Sequence, residues 1–205
     1  MNDDADRSIR WVKAHQGEWE SQGKPVLVAG GSAGGNVALL MGSAPGVFVE
    51  PNLPSDLASI SPYVDGVISF AGPSDLRPYV DGKIPSAGLD GQQLVEGYLD
   101  CSNRGSSKLG TSTPMPPCTE VRTLLFSPLF WASLHMWDSD LPPVYLGYGR
   151  NDALVPLSSQ AIPIAEVWAM SAGSASTWLD LANSTHDVTF ELNAAAFNRW
   201  MDQFN

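Results

Sequence analysis

Positive charge is scarce in this sequence. Its 205 residues include 11 Lys and Arg against 22 Asp and Glu, which gives a formal net charge of -11. The few basic residues form no cluster. Proteins that bind a nucleic-acid backbone or an anionic membrane surface need clustered positive charge. We therefore expect neither partner, and a neutral or cationic small molecule fits this composition better.

Long apolar runs are also missing. No stretch reaches the roughly 18 apolar residues that a membrane-spanning helix needs. The first ten residues are polar and rich in Asp, without the basic and then apolar order of a signal peptide. Two interpretations stay open: a cytoplasmic protein, or a chain whose true N-terminus lies upstream of Met1.

Cysteine occurs only twice, at Cys101 and Cys118, in a tract rich in Gly, Ser and Pro. There is no CxxC pair and no Cys/His cluster, so a structural zinc site is not expected. A disulfide across this tract would contribute on the order of 3 kcal/mol and would imply an oxidising compartment. Two free thiols fit the sequence equally well.

The composition is that of one globular domain. Hydrophobic residues make up 43% of the chain and charged residues 16%. The length suffices for one substantial core and is too short for two ordinary domains. We predict a single domain over residues 1–205.

Short apolar runs that end in glycine or polar turns predict strands. The run 25–29 ends at Gly30-Gly31 and is typical of a parallel strand buried on both faces. Further strands are predicted at 66–71, 143–148 and 177–181, and helices at 6–20, 36–43, 158–170 and 192–204. Strands that alternate with helices predict an α/β fold, a mostly parallel sheet flanked by helices.

Residues 73–141 break this alternation, since they are rich in Gly, Ser, Pro and aromatic residues and have no clear period. Such a segment is too long for a simple connection, so we predict a loop-rich, cap-like insertion over the top of the sheet. Its aromatic residues are candidates for a substrate pocket, although buried aromatics are more often plain core. They include Tyr79, Phe130, Trp131 and Trp137.

The segment Gly30-Gly31-Ser32-Ala33-Gly34 has the form G-x-S-x-G between a predicted strand and a predicted helix. In this context the turn is so sharp that its neighbours must be nearly free of side chains, and the serine hydroxyl is exposed at the end of the strand. The pattern predicts Ser32 as a nucleophile and the Ala33 backbone N–H as an oxyanion donor. A phosphate-binding turn would need a G-x-G-x-x-G or Walker pattern, and neither occurs.

A nucleophilic serine needs a base, and the chain offers His15, His135 and His186. After a serine turn of this type the order along the chain is Ser, acid and then His, and this order selects His186. Asp152 follows a predicted strand between them, so we predict that it orients the imidazole. A turn or helix cap is its ordinary alternative role. The other candidate acids do not combine a place at the end of a strand with the order Ser, acid and His. They are Asp138, Asp140, Asp180 and Asp187.

Four segments together resemble α/β-hydrolase carboxylesterases, in particular the feruloyl/acetyl esterase and hormone-sensitive-lipase-like branches. They are residues 30–36, 70–76, 149–156 and 185–186. The resemblance implies that Ser32, Asp152 and His186 form the catalytic triad and that Asp75 is structural. The tract around Cys101 and Cys118 is also similar to secreted esterases in which paired cysteines occur, which favours the disulfide.

One feature departs from this family. The family has several strands and a His-Gly-Gly-type oxyanion loop upstream of the serine turn, whereas 31 residues precede Ser32 here. We therefore expect the chain to correspond to the C-terminal part of such an enzyme, with its first strand at an open sheet edge. The missing loop would remove one oxyanion donor, worth roughly 100- to 1000-fold in rate.

The expected function is hydrolysis of a small carboxylic ester through an acyl-enzyme, without a metal or organic cofactor. A serine peptidase of the prolyl-oligopeptidase type shares the serine turn and the triad order, and a truncated, non-catalytic remnant is a third interpretation. An upstream leader together with a disulfide would place the protein in a secreted or periplasmic setting, and otherwise it is cytoplasmic. No pattern indicates the oligomeric state.

Overall fold

The computed structural model describes residues 2–84, 90–103, 114–136, 141–173, 175–187 and 193–205. In this part of the chain four strands form one parallel sheet in the order β1-β2-β3-β4. They are β1 (Leu27–Gly31), β2 (Gly66–Phe70), β3 (Val144–Gly149) and β4 (Thr177–Ala182). The predicted α/β class and parallel sheet are confirmed.

Helices connect and flank these strands. They are α1 (Asn2–His15), α2 (Ala33–Ser43), α3 (Ser55–Ala58), α4 (Arg77–Val80), α5 (Gly91–Leu99), α6 (Glu120–Leu125), α7 (Pro128–Leu134), α8 (Ile162–Ala172) and α9 (Ala194–Met201). Short 3-10 turns cover Gln16–Trp19 and Asp202–Phe204, and a π-helical turn covers Leu157–Ala161. None of the helices in the described ranges is long and apolar enough to cross a membrane.

The core lies on both faces of the sheet because alternate strand residues point to opposite sides. On one face Val67, Val144 and Leu146 belong to an apolar cluster with α2 and α8, in which Trp168 is fully buried. On the other face Ile68 and Tyr145 pack against Trp200 of α9. The two central strands therefore have side chains buried on both faces.

The first strand is less buried than the sequence predicts. The apolar run before Gly30 was predicted to be buried on both faces, but Ala29 is exposed and Leu27 and Val28 are only partly buried. The physical reason is its position, since β1 lies at one edge of the described sheet and pairs only with β2 there. An apolar run by itself does not distinguish an edge strand from a central one.

In the described residues four helices, α4 to α7, lie between β2 and β3. An apolar cluster separate from the main core forms around α4 and α5, whereas Ala132 of α7 belongs to the main core. The buried members of the separate cluster are Leu76, Tyr79, Val80, Ile84, Val95, Leu99 and Cys101. Cys101 and Cys118 form a disulfide, with their Cα atoms 4.9 Å apart. Because Cys101 is fully buried in this cluster, the disulfide ties the segment before α6 to the end of α5.

Candidate active site

Ser32 occupies the turn between β1 and α2 with φ 53° and ψ -120°, a backbone conformation that is strained for a residue with a side chain. Its N–H donates to the Phe70 carbonyl at 2.8 Å, which fixes the turn to the end of β2. A Cβ on Gly30 would lie 2.2 Å from the Gly34 carbonyl oxygen. Only glycine at position 30 therefore lets the strand and helix approach this closely.

The start of α2 also packs tightly on the turn after β2. A Cβ on Gly35 would lie 2.8 Å from the Gly72 Cα, and the Ser69 hydroxyl donates to the Gly35 carbonyl at 3.1 Å. Backbone therefore meets backbone at this crossing. The contact holds the N-terminus of α2, and with it Ser32, at the carboxyl edge of the sheet.

The turns that carry Asp152 and His186 follow neighbouring parallel strands, so both lie at the same carboxyl edge. The Arg150 N–H donates to the Ala182 carbonyl at 2.9 Å, and the Asn151 N–H donates to the Ser184 carbonyl at 3.0 Å. A Cβ on Gly149 would lie 2.0 Å from the Thr185 carbonyl oxygen. Glycine at the end of β3 thus lets the two turns lie directly against each other.

The three residues singled out by the sequence lie together. His186 Nε2 is 2.9 Å from Ser32 Oγ, and His186 Nδ1 is 2.8 Å from Asp152 Oδ2. A carboxylate only accepts hydrogen bonds, so the imidazole proton of the neutral ring belongs on Nδ1. Nε2 is then free to accept the Ser32 hydroxyl proton. This tautomer is the one that a general base at Ser32 requires.

The Asp152 side chain is fully buried, whereas the His186 side chain is 30% exposed. A buried carboxylate is costly unless hydrogen bonds compensate its charge. The Leu154 and Val155 N–H groups donate to Oδ1 at 2.9 and 2.8 Å, and Oδ2 faces His186. These bonds use both oxygens and fix the direction of the carboxylate toward the imidazole.

Ala33 is the first residue of α2. N–H groups in the first turn of a helix have no carbonyl partner inside the helix, and the helix dipole places partial positive charge there. Ala33 N–H therefore lies next to Ser32 in a position suited to a developing negative charge. Its role as an oxyanion donor stays a prediction.

An apolar cavity of about 180 Å³ opens beside Ser32. Tyr79 of α4 lines it, as predicted for a pocket residue, whereas Phe130 and Trp131 are not among its lining residues, and Trp137 lies outside the described residues. The other walls come from α2, the segment between β2 and α4, α5 and the segment after Asp152. They are Ala33, Asn36, Pro73, Leu76, Gly91, Leu94, Val95, Tyr98, Leu154 and Val155.

The sequence reasoning missed most of these walls. Two signals were available. Leu154 and Val155 lie two and three residues after the predicted acid, and Asn36 lies about one helical turn after Ser32, in the helix that Ser32 precedes. The contribution of α5 had no comparable signal. Burial raises the pKa of Tyr98 to about 12 and raises that of Tyr79 further, so both hydroxyls stay protonated near neutral pH.

The competing residues have other positions. His15 contacts the Trp11 carbonyl within α1, and His135 caps the end of α7. Asp180 accepts the Tyr145 hydroxyl at 2.6 Å and the Asn193 N–H at 2.9 Å, away from His186. Asp138 and Asp140 lie outside the described residues.

Asp75 bonds to a residue outside the Ser32 arrangement. Asp75 makes a paired interaction with Arg77, its Oδ2 lying 2.7 Å from Nη2, which fits the structural role implied by the resemblance. Asp187 directly follows His186 in the chain and lies among the described residues. In these ranges no cluster of three or more His, Cys, Asp or Glu could hold a metal ion.

Comparison with known proteins gives the same kind of fold. A family model described as BD-FAE matches residues 1–165. The probable carboxylic ester hydrolase LipM of Mycobacterium tuberculosis is 24% identical over 154 residues, which is 75% of this chain and 30% of LipM. The chain thus spans less than a third of this curated relative.

Two solved structures are similar in fold over nearly the whole chain. One is a truncated form of a carbohydrate esterase from gut microbiota, with a TM-score of 0.68, 19% identity, and coverage of 99% of this chain and 66% of that one. The other is the butyrate-bound esterase of Thermogutta terrifontis, with a TM-score of 0.59, 20% identity, and coverage of 98% and 62%. Esterase 2 from the same organism is also described in a form phosphonylated by sarin.

Proposed function

This chain belongs to the BD-FAE family of α/β-hydrolase-type carboxylesterases, and we propose that it hydrolyses carboxylic esters through an acyl-enzyme formed on Ser32. The observation that carries the proposal is the continuous line of hydrogen bonds from the Ser32 hydroxyl through His186 to the buried Asp152 carboxylate. This arrangement lowers the cost of removing the serine proton, which is the obstacle to nucleophilic attack at neutral pH.

In the first step Ser32 Oγ bonds to the ester carbonyl carbon while its proton moves to His186 Nε2. The carbonyl π bond becomes an oxyanion, and the Ala33 N–H at the start of α2 is our proposed donor to it. The intermediate then collapses, the bond to the alcohol oxygen breaks, and His186 returns its proton to that oxygen. The alcohol leaves, and the acyl group stays on Ser32.

In the second step water replaces the alcohol. His186 Nε2 takes a proton from the water as its oxygen attacks the acyl carbon, and the same proton then goes to Ser32 Oγ as the acid leaves. Asp152 stays ionised throughout and stabilises the imidazolium. No step requires a redox partner or a metal ion.

The apolar cavity beside Ser32 is best suited to the acyl group. The proton for the leaving alcohol comes from His186, so the alcohol must lie on the His186 side of the reacting carbon. The cavity instead adjoins Ala33 and Asn36 on α2, and His186 is not among the described residues that line it. Its apolar walls and its volume of about 180 Å³ fit a short uncharged acyl chain.

The test combines an active-site label with a substrate series. A fluorophosphonate probe is expected to label the protein, and Ser32→Ala is expected to abolish both labelling and hydrolysis of p-nitrophenyl acetate. Ser59→Ala is the matched control, since Ser59 is an exposed serine whose hydroxyl bonds only to the Asp56 carbonyl. It is expected to keep both properties.

The same protein should cleave short-chain p-nitrophenyl esters far faster than aminoacyl p-nitroanilides. Cleavage of the amides alone would replace the esterase proposal with a peptidase. Well-folded protein that is neither labelled nor active would contradict the proposed mechanism.

A further inference from the structure

The side-chain amide of Asn36 joins three separate segments next to the nucleophile. Its Nδ2 donates to the Pro73 carbonyl at 2.7 Å and to the Phe126 carbonyl at 3.2 Å. Its Oδ1 accepts the Tyr98 hydroxyl at 2.9 Å. Asn36 is 1% exposed, and its three partner residues are partly buried.

Two of the three residues to which the Asn36 side chain bonds line the acyl cavity. Pro73 and Tyr98 line it directly, and the Phe126 ring packs edge-on against the Tyr98 ring at 5.7 Å between centroids. Asn36 lies in the first turn of α2, and its N–H donates at 3.1 Å to the carbonyl of Ser32, the residue that precedes this helix. The amide thus connects the nucleophile helix α2 to the cavity wall formed by α5.

The chemistry of asparagine matches this position. Two partly buried carbonyl groups accept hydrogen bonds here and the tyrosine hydroxyl donates one, and a primary amide supplies both kinds of partner from one side chain. Aspartate would place a negative charge against the two carbonyls, and leucine would leave all three partners without their bonds. A buried polar group left in this way costs more than the bond itself contributes.

We propose that Asn36 is a positioning residue. Its amide fixes the position of α5, which forms one wall of the cavity, relative to Ser32, and discrimination between acyl chains depends on this amide. This inference rests on the proposed esterase function. An acetyl group is two carbons shorter than a butyryl group and makes less contact with the wall. Loss of the amide therefore affects butyryl esters more than acetyl esters, and it acts mainly through KM.

The experiment measures kcat and KM for p-nitrophenyl acetate and p-nitrophenyl butyrate in four proteins: the wild type, Asn36→Ala, Tyr98→Phe and Asn2→Ala. In the wild type the butyrate is expected to have the higher kcat/KM, because its chain buries more apolar surface. In Asn36→Ala and Tyr98→Phe the butyrate-to-acetate ratio is expected to fall roughly three- to tenfold, the effect of one buried hydrogen bond.

Asn2→Ala is the matched control. Asn2 is also a buried asparagine, and its Oδ1 lies 3.1 Å from the same Tyr98 hydroxyl, but it lies on α1 and not on the nucleophile helix. Its removal leaves the bond between Tyr98 and Asn36 in place, so the ratio is expected to match that of the wild type. Tyr98→Phe removes only a hydroxyl and keeps the test valid where Asn36→Ala fails to fold.

Hydrogen exchange provides a readout that does not depend on activity. The amides of residues 91–99 are expected to exchange faster in Asn36→Ala and Tyr98→Phe than in Asn2→Ala. If the wild type hydrolyses no ester, the proposed function fails, and unchanged protection of α5 would separately overturn the role of Asn36. Where esters are cleaved, three results would each overturn the role of Asn36. They are an unchanged butyrate-to-acetate ratio in folded Tyr98→Phe, an equal loss of kcat/KM on both esters, and a wild type that does not favour butyrate.

Discussion

Replacement of Asp152 by asparagine isolates the electrostatic part of the proposed mechanism. The change keeps the size and shape of the side chain, and its oxygen still accepts the Leu154 and Val155 N–H groups. The new amide NH₂ would then face His186 Nδ1, 2.8 Å away in the native protein. A donor at this point forces the imidazole proton onto Nε2, toward Ser32, which is the wrong tautomer for a base.

We expect kcat for p-nitrophenyl acetate to fall about 1,000- to 10,000-fold, equivalent to about 4 to 5.5 kcal/mol of lost transition-state stabilisation. The loss is large because the Asp152 side chain is fully buried, so water cannot replace its charge. The thermal unfolding curve is expected to change little, since the local hydrogen bonds to the backbone remain.

Asp180→Asn is the control for this experiment. Asp180 also lies near the carboxyl end of a strand, but it bonds to Tyr145 and to the Asn193 backbone instead of His186. The substitution is expected to alter stability and to leave kcat within a few-fold of the wild type. If folded Asp152→Asn keeps more than about a tenth of the native kcat, its assignment as the orienting acid is refuted.

Three further predictions concern stability. Gly30→Ala is expected to prevent folding or to abolish fluorophosphonate labelling, because its Cβ would lie 2.2 Å from the Gly34 carbonyl oxygen; circular dichroism and labelling check this. Reduction of the Cys101–Cys118 disulfide is expected to lower the free energy of unfolding by about 3 kcal/mol in urea titrations. Burial raises the Tyr98 pKa from 10.0 to about 12, so the folded state retains a proton that the unfolded state loses. Its stabilising contribution is therefore complete below pH 10 and lost as pH rises toward 12, a decline that Tyr98→Phe should reduce.

The proximity of the three candidate site residues could be predicted because it follows local rules. Ser32 sits in a short pattern that only a sharp turn between strand and helix requires, and Asp152 and His186 follow strands in a fixed chain order. Parallel strands place all such turns at one edge of the sheet. Proximity between residues as distant in sequence as Ser32 and His186 therefore follows from the topology, once the strands have been identified.

The walls of the cavity could not be predicted in the same way. Tyr98 reaches Asn36 across 62 positions, and Phe126 reaches it across 90. No periodicity in residues 73–141 encodes which helix face meets α2, because this depends on the packing of a small cluster around Cys101. The exposure of Ala29 was missed for a related reason, since burial depends on the neighbours of a strand and not on its own composition.

Backbone contacts explain why the catalytic geometry and the cavity should respond differently to substitution. Ser32 and His186 are held where main chain touches main chain, at Gly30 against Gly34 and at Gly149 against Thr185. No side chain can adjust at such a contact, so a small-to-large change there disrupts the turn and removes activity on every ester. The α5 wall meets α2 through the side chain of Asn36 instead. A change at that contact can loosen the cavity while the triad stays intact, which separates selectivity from catalysis in this fold.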